Sequence, residues 1–349
     1  MAPMLRPPVT LSIAFVHGLL QGVTERGMLS LPQIDHLLED TGISPVLLNE
    51  SGARVTAQQY VVLIECLMGK LDDEGLGFLS RRLQRGSFAL VGRATLGAPS
   101  LGVALRRAAH TFRLLQEDVS TACVEDGSLI GLSLEFRNPS VEDRNFLHEL
   151  LLRIFWQLLA WLNEARLPPQ RFDFSFEQPP YAAIYSTVFP ALLRFNQPHS
   201  TVWFDSAALR APVRRDEQAF RAMMPRAVAN LVLPRYDDTT TSAHVRALLQ
   251  QEGSNWPDLD TVAKHLHVAA STLQRRLAVE GASYQSLKDE LRRDMAIALL
   301  NTTTKPLTVV AAELGFADSA AFQRAFKGWT GTSPGSYRRR TIRVRAYVR

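Results

Sequence analysis

The apolar residues between positions 259 and 338 follow one spacing that occurs twice. In each copy they stand at i, i+3, i+4 and i+7, the spacing of one buried stripe along a helix. A shift of 48 residues brings the two stripes into register, so the spacing predicts two copies of one helical device. The stripe residues are Leu259, Val262, Ala263 and Leu266 in the first copy, and Leu307, Val310, Ala311 and Leu314 in the second.

A second helix follows each stripe, and these second helices superpose after a shift of 49 residues. Each copy then consists of a helix, a tight turn and a helix, which is the layout of a helix-turn-helix DNA reader. The second helices carry matching polar pairs, Gln274–Arg275 and Gln323–Arg324. Gln and Arg can pair with the edges of adenine and guanine, so the pattern favours DNA reading. A plain helical bundle stays open as the alternative.

Upstream of position 240 the pattern alternates between helical and strand periods. The dipeptide Asp126-Gly127 joins two stretches of strand pattern and predicts a hairpin. Residues 88–101 are rich in Gly, Ala and Pro, which predicts loop and short structure. This order of elements indicates an α+β domain with antiparallel pairing. Helices are predicted near 15–20, 33–39, 57–68, 105–115, 141–164 and 181–189, and strands near 121–125, 129–136, 171–176 and 201–204.

The change of pattern divides the chain near residues 239–241, and its length suits two domains. The expected fold class is α+β, with a mixed α/β domain over 1–238 followed by an all-α domain over 239–349. Within the second domain we expect one helix-turn-helix at about 257–281, a linker helix at about 284–301 and another helix-turn-helix at about 306–329.

The charge is distributed unevenly between these two parts. The chain as a whole carries a net charge of +5, yet residues 241–349 hold 16 Lys and Arg against 9 Asp and Glu, which gives +7. The basic excess therefore coincides with the repeated device, as binding to phosphate requires, although a solvated basic face would look the same. The last twelve residues include six arginines, which would suit either phosphate contact or a solubilising tail.

Several other classes of protein are disfavoured. Cys66 and Cys123 stand alone and look like small core residues, so neither a disulfide framework nor a metal site is expected, and a reducing cytoplasm is the natural setting. The apolar stretch 146–162 is interrupted by charged and polar residues, which predicts a buried amphipathic helix rather than a membrane span. No catalytic motif and no cofactor site is predicted.

Several motifs of the second domain resemble the AraC/XylS family of bacterial transcription regulators. They comprise Phe322-Gln323-Arg324-Ala325-Phe326-Lys327, then Gly331, Pro334 and Tyr337-Arg338, together with the Gly315-Phe316 turn and the linker helix. The run 86–102, the strand pair and residues 172–204 are similar to the arabinose-binding-type domain in the ornithine-utilisation branch of AraC-like regulators. That similarity implies a domain that senses a small molecule and forms dimers.

The resemblance also implies which side chains meet DNA. The residues that match the DNA-contacting positions of the family are Ser271, Thr272, Gln274 and Arg275 in the first copy, and Ser319, Ala320, Gln323 and Arg324 in the second. Lys327 is better placed for a phosphate, which positions a protein without reading sequence. The first copy departs from the family, because Leu277-Ala278 stands where Phe-Lys is common. It therefore lacks one expected phosphate contact, unless Arg276 or a neighbouring residue supplies the charge.

Together these features predict a cytoplasmic, ligand-responsive transcription regulator, acting as an activator and a homodimer on double-stranded promoter DNA with RNA polymerase. The effector and its site are not identified by the sequence. One alternative is the same DNA reader fused to a repair-type catalytic domain, which would need an activated cysteine. The other is a DNA binder without an effector, which a metabolite that raises the melting temperature would exclude.

Overall fold

The structure is a computed structural model that describes residues 9–50, 52–164, 167–232, 240–251 and 256–342. The described residues form two compact units. The helical unit holds residues 9–13, 38–50, 52–60, 240–251 and 256–342, and the sheet unit holds 14–37, 61–164 and 167–232. The domain limits predicted at 238 and 239, and the arginines beyond 342, lie outside the described residues, so those limits stay a prediction.

Seven strands and seventeen helices are described. The strands are β1 (Thr10–Ser12), β2 (Arg54–Thr56), β3 (Val119–Asp126), β4 (Leu129–Phe136), β5 (Arg171–Asp173), β6 (Leu192–Arg194) and β7 (Ser200–Asp205). The helices before residue 240 are α1 (Ile13–Thr24), α2 (Leu31–Asp40), α3 (Ala57–Leu71), α4 (Ser87–Thr95), α5 (Leu101–Leu115), α6 (Pro139–Glu142), α7 (Asn145–Leu162), α8 (Tyr185–Val188), α9 (Glu217–Met223) and α10 (Ala227–Val232). The later helices are α11 (Thr241–Gln251), α12 (Leu259–His265), α13 (Ala270–Val279), α14 (Tyr284–Thr302), α15 (Leu307–Glu313), α16 (Ser319–Thr330) and α17 (Pro334–Ile342).

The sheet unit is built on a five-stranded sheet in the order β3-β4-β7-β5-β6. All neighbours in it are antiparallel except β5 and β6. Helix α7 packs against β7, α5 and α10 and is buried over nearly its whole length. Aromatic rings fill the space beside the sheet. Phe172, Phe174 and Phe189 are all buried there. The ring centroid of Phe189 is 4.9 Å from that of Phe172 and 5.3 Å from that of Phe174. The unit is therefore an α+β fold with an aromatic core.

The predicted hairpin is confirmed, with Asp126 paired to Leu129 across its turn. Three other predictions were too long. The helix expected over 141–164 is broken between α6 and α7, because Arg144 has non-helical backbone angles while its buried side chain donates to Phe78 O at 3.0 Å. The strand expected over 171–176 ends at Asp173, and the helix expected over 181–189 is a 3-10 turn followed by α8.

The loop and short structure predicted over 88–101 holds for residues 96–100 and was wrong for the preceding residues, because α4 occupies 87–95. Gly92 lies within α4 against the ring of Phe220. A β-carbon at position 92 would be 2.5 Å from Phe220 Cε2, so the glycine permits a close contact between α4 and α9. The assignment of Cys123 to the core was also wrong, since it is exposed on the edge strand β3.

The helical unit contains all the elements after residue 240 together with a small antiparallel pair, β1 and β2. All the secondary-structure elements described between residues 241 and 342 are helices, as predicted. One hydrophobic cluster holds the first part of the unit together. It consists of Val245, Leu249, Val262, Ala263, Leu273, Leu277, Leu287 and Leu291, which come from α11, α12, α13 and α14.

Candidate nucleic-acid interface

The first copy of the repeated device is α12, a turn and α13. The carboxylate of Asp258 accepts a hydrogen bond from Thr261 N at 2.8 Å and so caps α12. The turn places His267 in the left-handed region, with φ of 55°. Val268 N then donates to Ala263 O at 3.0 Å, which closes the end of α12 and directs the chain into α13.

The second copy is α15, a turn and α16, and its turn has the same construction. Gly315 has φ of 71°, and Phe316 N donates to Ala311 O at 3.0 Å. Both residues stand 48 positions after their counterparts, so the repeat seen in the sequence is a repeat of backbone geometry. Asp318 caps α16 by accepting a hydrogen bond from Ala321 N at 2.6 Å.

The second helix of each copy buries one face. In α13 the buried side chains are Leu273 and Leu277, and in α16 they include Phe322 and Phe326. The ring centroids of Phe322 and Phe326 are 5.8 Å apart, and Tyr337 of α17 meets Phe326 edge-on at 5.4 Å. Because these apolar faces fix the rotation of α13 and α16, the remaining faces point away from the core.

The residues expected to contact DNA lie on those remaining faces. Thr272 and Ser319 are half-buried. Gln323 Nε2 is 3.4 Å from Ser319 Oγ, a long hydrogen bond that ties the two along α16. The exposed members of the set are Ser271, Gln274, Arg275, Ala320, Gln323, Arg324 and Lys327. Neither helix is therefore turned inward.

The cations on these faces are not neutralised by the protein itself. Within the described parts of the chain, no carboxylate lies within ion-pairing distance of Arg275, Arg324 or Lys327. Elsewhere in the same unit such pairs do form, as between Lys305 Nζ and Glu313 at 2.6 Å. The guanidinium and ammonium groups on the two helices thus remain available for phosphate and base edges.

Helix α14 connects the two copies and contacts both. A reciprocal capping box between Ser283 and Ser286 begins it. Leu287 and Leu291 enter the hydrophobic cluster of the first copy, while Met295 and Ala298 are only half-buried. The buried side of α14 continues through Ala296, Ile297 and Leu300.

Arg292 of α14 lies between aromatic rings from the two copies. Its guanidinium carbon is 4.9 Å from the ring centre of Trp256, just before α12, and 5.3 Å from that of Phe316, in the second turn. A guanidinium stacks well on aromatic faces, so this contact links the two helix-turn-helix copies. Sequence reasoning missed this role, because Arg292 stands in a basic run that is typical of a solvated face.

Asp294 was also missed, and it anchors the strand pair to α14. It is buried, and its Oδ1 accepts a hydrogen bond from Thr10 Oγ1 at 2.6 Å. Arg54 Nε donates to the same hydroxyl at 2.7 Å, and Tyr337 Oη donates to Arg54 O at 2.7 Å. The sequence signal for this contact is a carboxylate three residues after Leu291, on the side of α14 that is buried.

Two known protein families match this chain. The arabinose-binding domain found at the N-terminus of AraC transcription regulators matches residues 33–213, and a helix-turn-helix domain matches residues 262–340. The first match alone covers more than half of the chain. This protein belongs to the AraC family of transcription regulators. The resemblance and the fold class inferred from the sequence are thereby confirmed.

The similarity to individual known proteins extends over different lengths of this chain. The ornithine utilization regulator of Pseudomonas aeruginosa is 28% identical over 327 residues, covering 93% of this chain and 95% of that protein. The urease operon transcriptional activator of Escherichia coli is 31% identical over 111 residues, covering 32% of this chain and 37% of that protein. The structure of the regulator CdpR from Pseudomonas aeruginosa covers 93% of this chain and 97% of its own, with a TM-score of 0.33 and 20% identity.

As an AraC-family member, the protein is a DNA-binding transcription regulator with an N-terminal ligand-binding domain. Its partners are DNA and a small-molecule effector. Among the described residues, no group of His, Cys, Asp and Glu side chains is arranged to hold a metal ion. In those same parts of the chain, no helix has both the length and the apolar character that crossing a bilayer requires.

Proposed function

We propose that each protomer reads two adjacent major-groove segments of promoter DNA, one with α13 and one with α16. The observation that carries this proposal is the repeated exposure of a Gln-Arg pair opposite a buried apolar face. Arg pairs with guanine through two hydrogen bonds, and Gln does the same with adenine. Each such contact discriminates against a wrong base by about 1–3 kcal/mol.

The exposed residues of α13 and α16 have two roles in this proposal. Gln274, Arg275, Gln323 and Arg324 contact base edges, whereas Lys327 contacts a phosphate. The short residues Ser271, Thr272, Ser319 and Ala320 stand at the start of their helices, where a helix in the major groove comes closest to the bases. Arg292 has a different role, because its contacts with Trp256 and Phe316 hold the two helix-turn-helix copies at a fixed spacing.

A gel-shift titration on a duplex selected in vitro tests these roles. Arg324→Ala should weaken binding to the selected duplex and relax preference at one base pair, by about 1–3 kcal/mol. Lys327→Ala should weaken binding to all duplexes alike and reduce the slope of affinity against salt by about 1. Arg276→Ala is the matched control, because Arg276 is exposed on α13 but is not among the residues predicted to read bases, so the change should leave base preference unaltered. The proposal is wrong if Arg324→Ala and Arg276→Ala have equal effects on base preference.

The assembly and outcome of binding are part of the same proposal. We infer that the protein acts in the cytoplasm as a homodimer, so that four helix-turn-helix copies meet one promoter, and that it activates transcription by contact with RNA polymerase. The urease operon relative is by its name an activator, which supports that direction. Sedimentation of the full chain, with and without DNA, tests the dimer, and transcription in vitro with purified polymerase tests activation.

A further inference from the structure

Two cavities lie among the described residues of the sheet unit, and they differ in volume. One lies among apolar side chains of α4, α5 and α7 and has a volume of about 80 Å³. That is smaller than the roughly 150 Å³ cavity that holds benzene in another protein. The other is a cleft of about 490 Å³, within the range of roughly 300–1,000 Å³ that ligand sites occupy. Of these two cavities, the cleft is the one with room for a metabolite without rearrangement.

The cleft lies between α1 and the start of α7. Its wall includes His17 and Gln21 of α1, then Asp143, Asn145 and Phe146. Tyr181 completes the wall. Phe146 is buried and stacks on Phe78 with ring centroids 5.7 Å apart, so the apolar part of the wall is held in place. The cleft thus combines several polar groups with one fixed aromatic surface.

The hydroxyl of Tyr181 is a hydrogen-bond acceptor on the wall of this cleft. Its hydroxyl donates to Glu149 Oε1 at 3.1 Å, and Tyr185 Oη donates to the same oxygen. Glu149 is buried, with 3% of its surface exposed, so it keeps both donors inside the protein. Because the proton of Tyr181 is committed to Glu149, only the lone pairs of its oxygen remain for a molecule in the cleft.

The charge of the cleft wall likewise favours a ligand that donates hydrogen bonds and carries positive charge. Asp143 is exposed, and within the described parts of the chain no cation lies within ion-pairing distance of its carboxylate. Among the described residues that line the cleft there is no Lys or Arg. The neighbouring Arg144 is directed elsewhere, since its Nε is 3.1 Å from Glu25 Oε2 and its Nη1 donates to Phe78 O. A ligand in this cleft therefore meets an uncompensated carboxylate.

We propose that this cleft is the effector site and that it binds a small aliphatic amine. The ammonium group donates to the Asp143 carboxylate and to Tyr181 Oη, and the hydrocarbon part lies against Phe146. An ammonium group has three donors and no acceptor, which matches acceptors on the wall. This inference rests on the proposed function, because it names the class of effector to which the DNA reader responds.

The melting temperature of the full chain, measured without DNA, tests the site with putrescine as the probe. The control ligands are 1,4-butanediol, which has the same length and no charge, and butyrate, which has the opposite charge. Putrescine should raise the melting temperature with increasing concentration, and the two controls should not. Asp143→Asn should weaken the effect of putrescine about fivefold, the scale of an exposed ion pair. Tyr181→Phe should also weaken it.

Glu117→Gln is the matched variant, since Glu117 is an exposed carboxylate of the same unit that does not line the cleft. It should respond to putrescine as the unchanged protein does. The site is wrong if butanediol acts like putrescine, if putrescine has no effect, or if Asp143→Asn and Glu117→Gln respond alike. Specific DNA binding that persists in any of these cases would reject the amine site alone and leave the proposed function standing.

Discussion

Replacing Glu149 by Gln should change how the stability of the protein depends on pH. Glu149 is buried on α7, where its Oε1 accepts hydrogen bonds from the hydroxyls of Tyr181 and Tyr185. Burial raises the pKa of its carboxyl group from 4.5 to about 7, although the hydrogen bonds from Tyr185 and Tyr181 oppose that rise. Glutamine keeps the shape and the accepting oxygen but cannot ionise.

The size and sign of the effect follow from that pKa. Below pH 4.5 the carboxyl group is protonated in both the folded and the unfolded chain, so ionisation costs nothing. As the pH rises towards 7, the unfolded chain loses the proton first, and the free energy of unfolding decreases. A tenfold change in an equilibrium is about 1.4 kcal/mol, so the difference between 4.5 and about 7 amounts to about 3 kcal/mol above pH 7.

Urea unfolding of the unchanged protein and of Glu149→Gln, at about pH 4.5 and about pH 8, measures this effect. We expect Glu149→Gln to be near neutral at the lower pH and to stabilise the protein by about 3 kcal/mol at the higher one. Glu117→Gln, an exposed change in the same unit, should show no such difference. Equal effects of Glu149→Gln at both pH values would refute the reasoning, because they would mean that the folded state does not hold the proton more tightly.

Three further changes test the helical unit. Gly315→Ala should destabilise the unit by about 1–2 kcal/mol in thermal melts, because φ of 71° is unfavourable for any residue with a β-carbon. His267→Gly, the comparison at the matching turn, should be neutral or stabilising, and equal losses of stability from both changes would count against the matched turns. Arg292→Ala should lower the free energy of unfolding by about 1–2 kcal/mol, because it removes both ring contacts. It should also reduce affinity for a duplex with both half-sites more than affinity for a single half-site, and an equal loss on the two duplexes would show that Arg292 does not set the spacing. Ala278→Lys should restore a phosphate contact to the exposed end of α13, so affinity should rise and the salt slope should steepen by about 1, with an unchanged slope as the contrary result.

The repeated device could be predicted from the sequence because both its spacing and its turns are local. The 48-residue shift that aligns Val262 with Val310 also aligns His267 with Gly315, and the backbone takes the same left-handed angle at both. The exposed positions of Gln274 and Gln323 follow from the buried Leu273 and Phe322 beside them. Helical periodicity carries this information without any knowledge of the rest of the fold.

Features that depend on distant partners could not be predicted. Strands β1 and β2 have three residues each, too few to show an alternating period, and their pairing joins Thr10 to Thr56. The need for glycine at position 92 depends on the ring of Phe220, which is 128 positions away in the sequence. The cleft around Asp143 and Tyr181 is likewise assembled from segments whose spacing in sequence carries no signal.

The hydrogen bonds between Thr10 and Asp294 join residues that are 284 positions apart, within one unit. A ribosome synthesises Thr10 before Asp294, so Thr10 stays without this partner while the intervening residues are made. Closing so long a loop is entropically costly and slows folding. The later helix α14 therefore completes a contact that the earlier strand β1 cannot make alone, and a fragment that starts after residue 60 would leave the buried carboxylate of Asp294 without the hydroxyl of Thr10 as its donor.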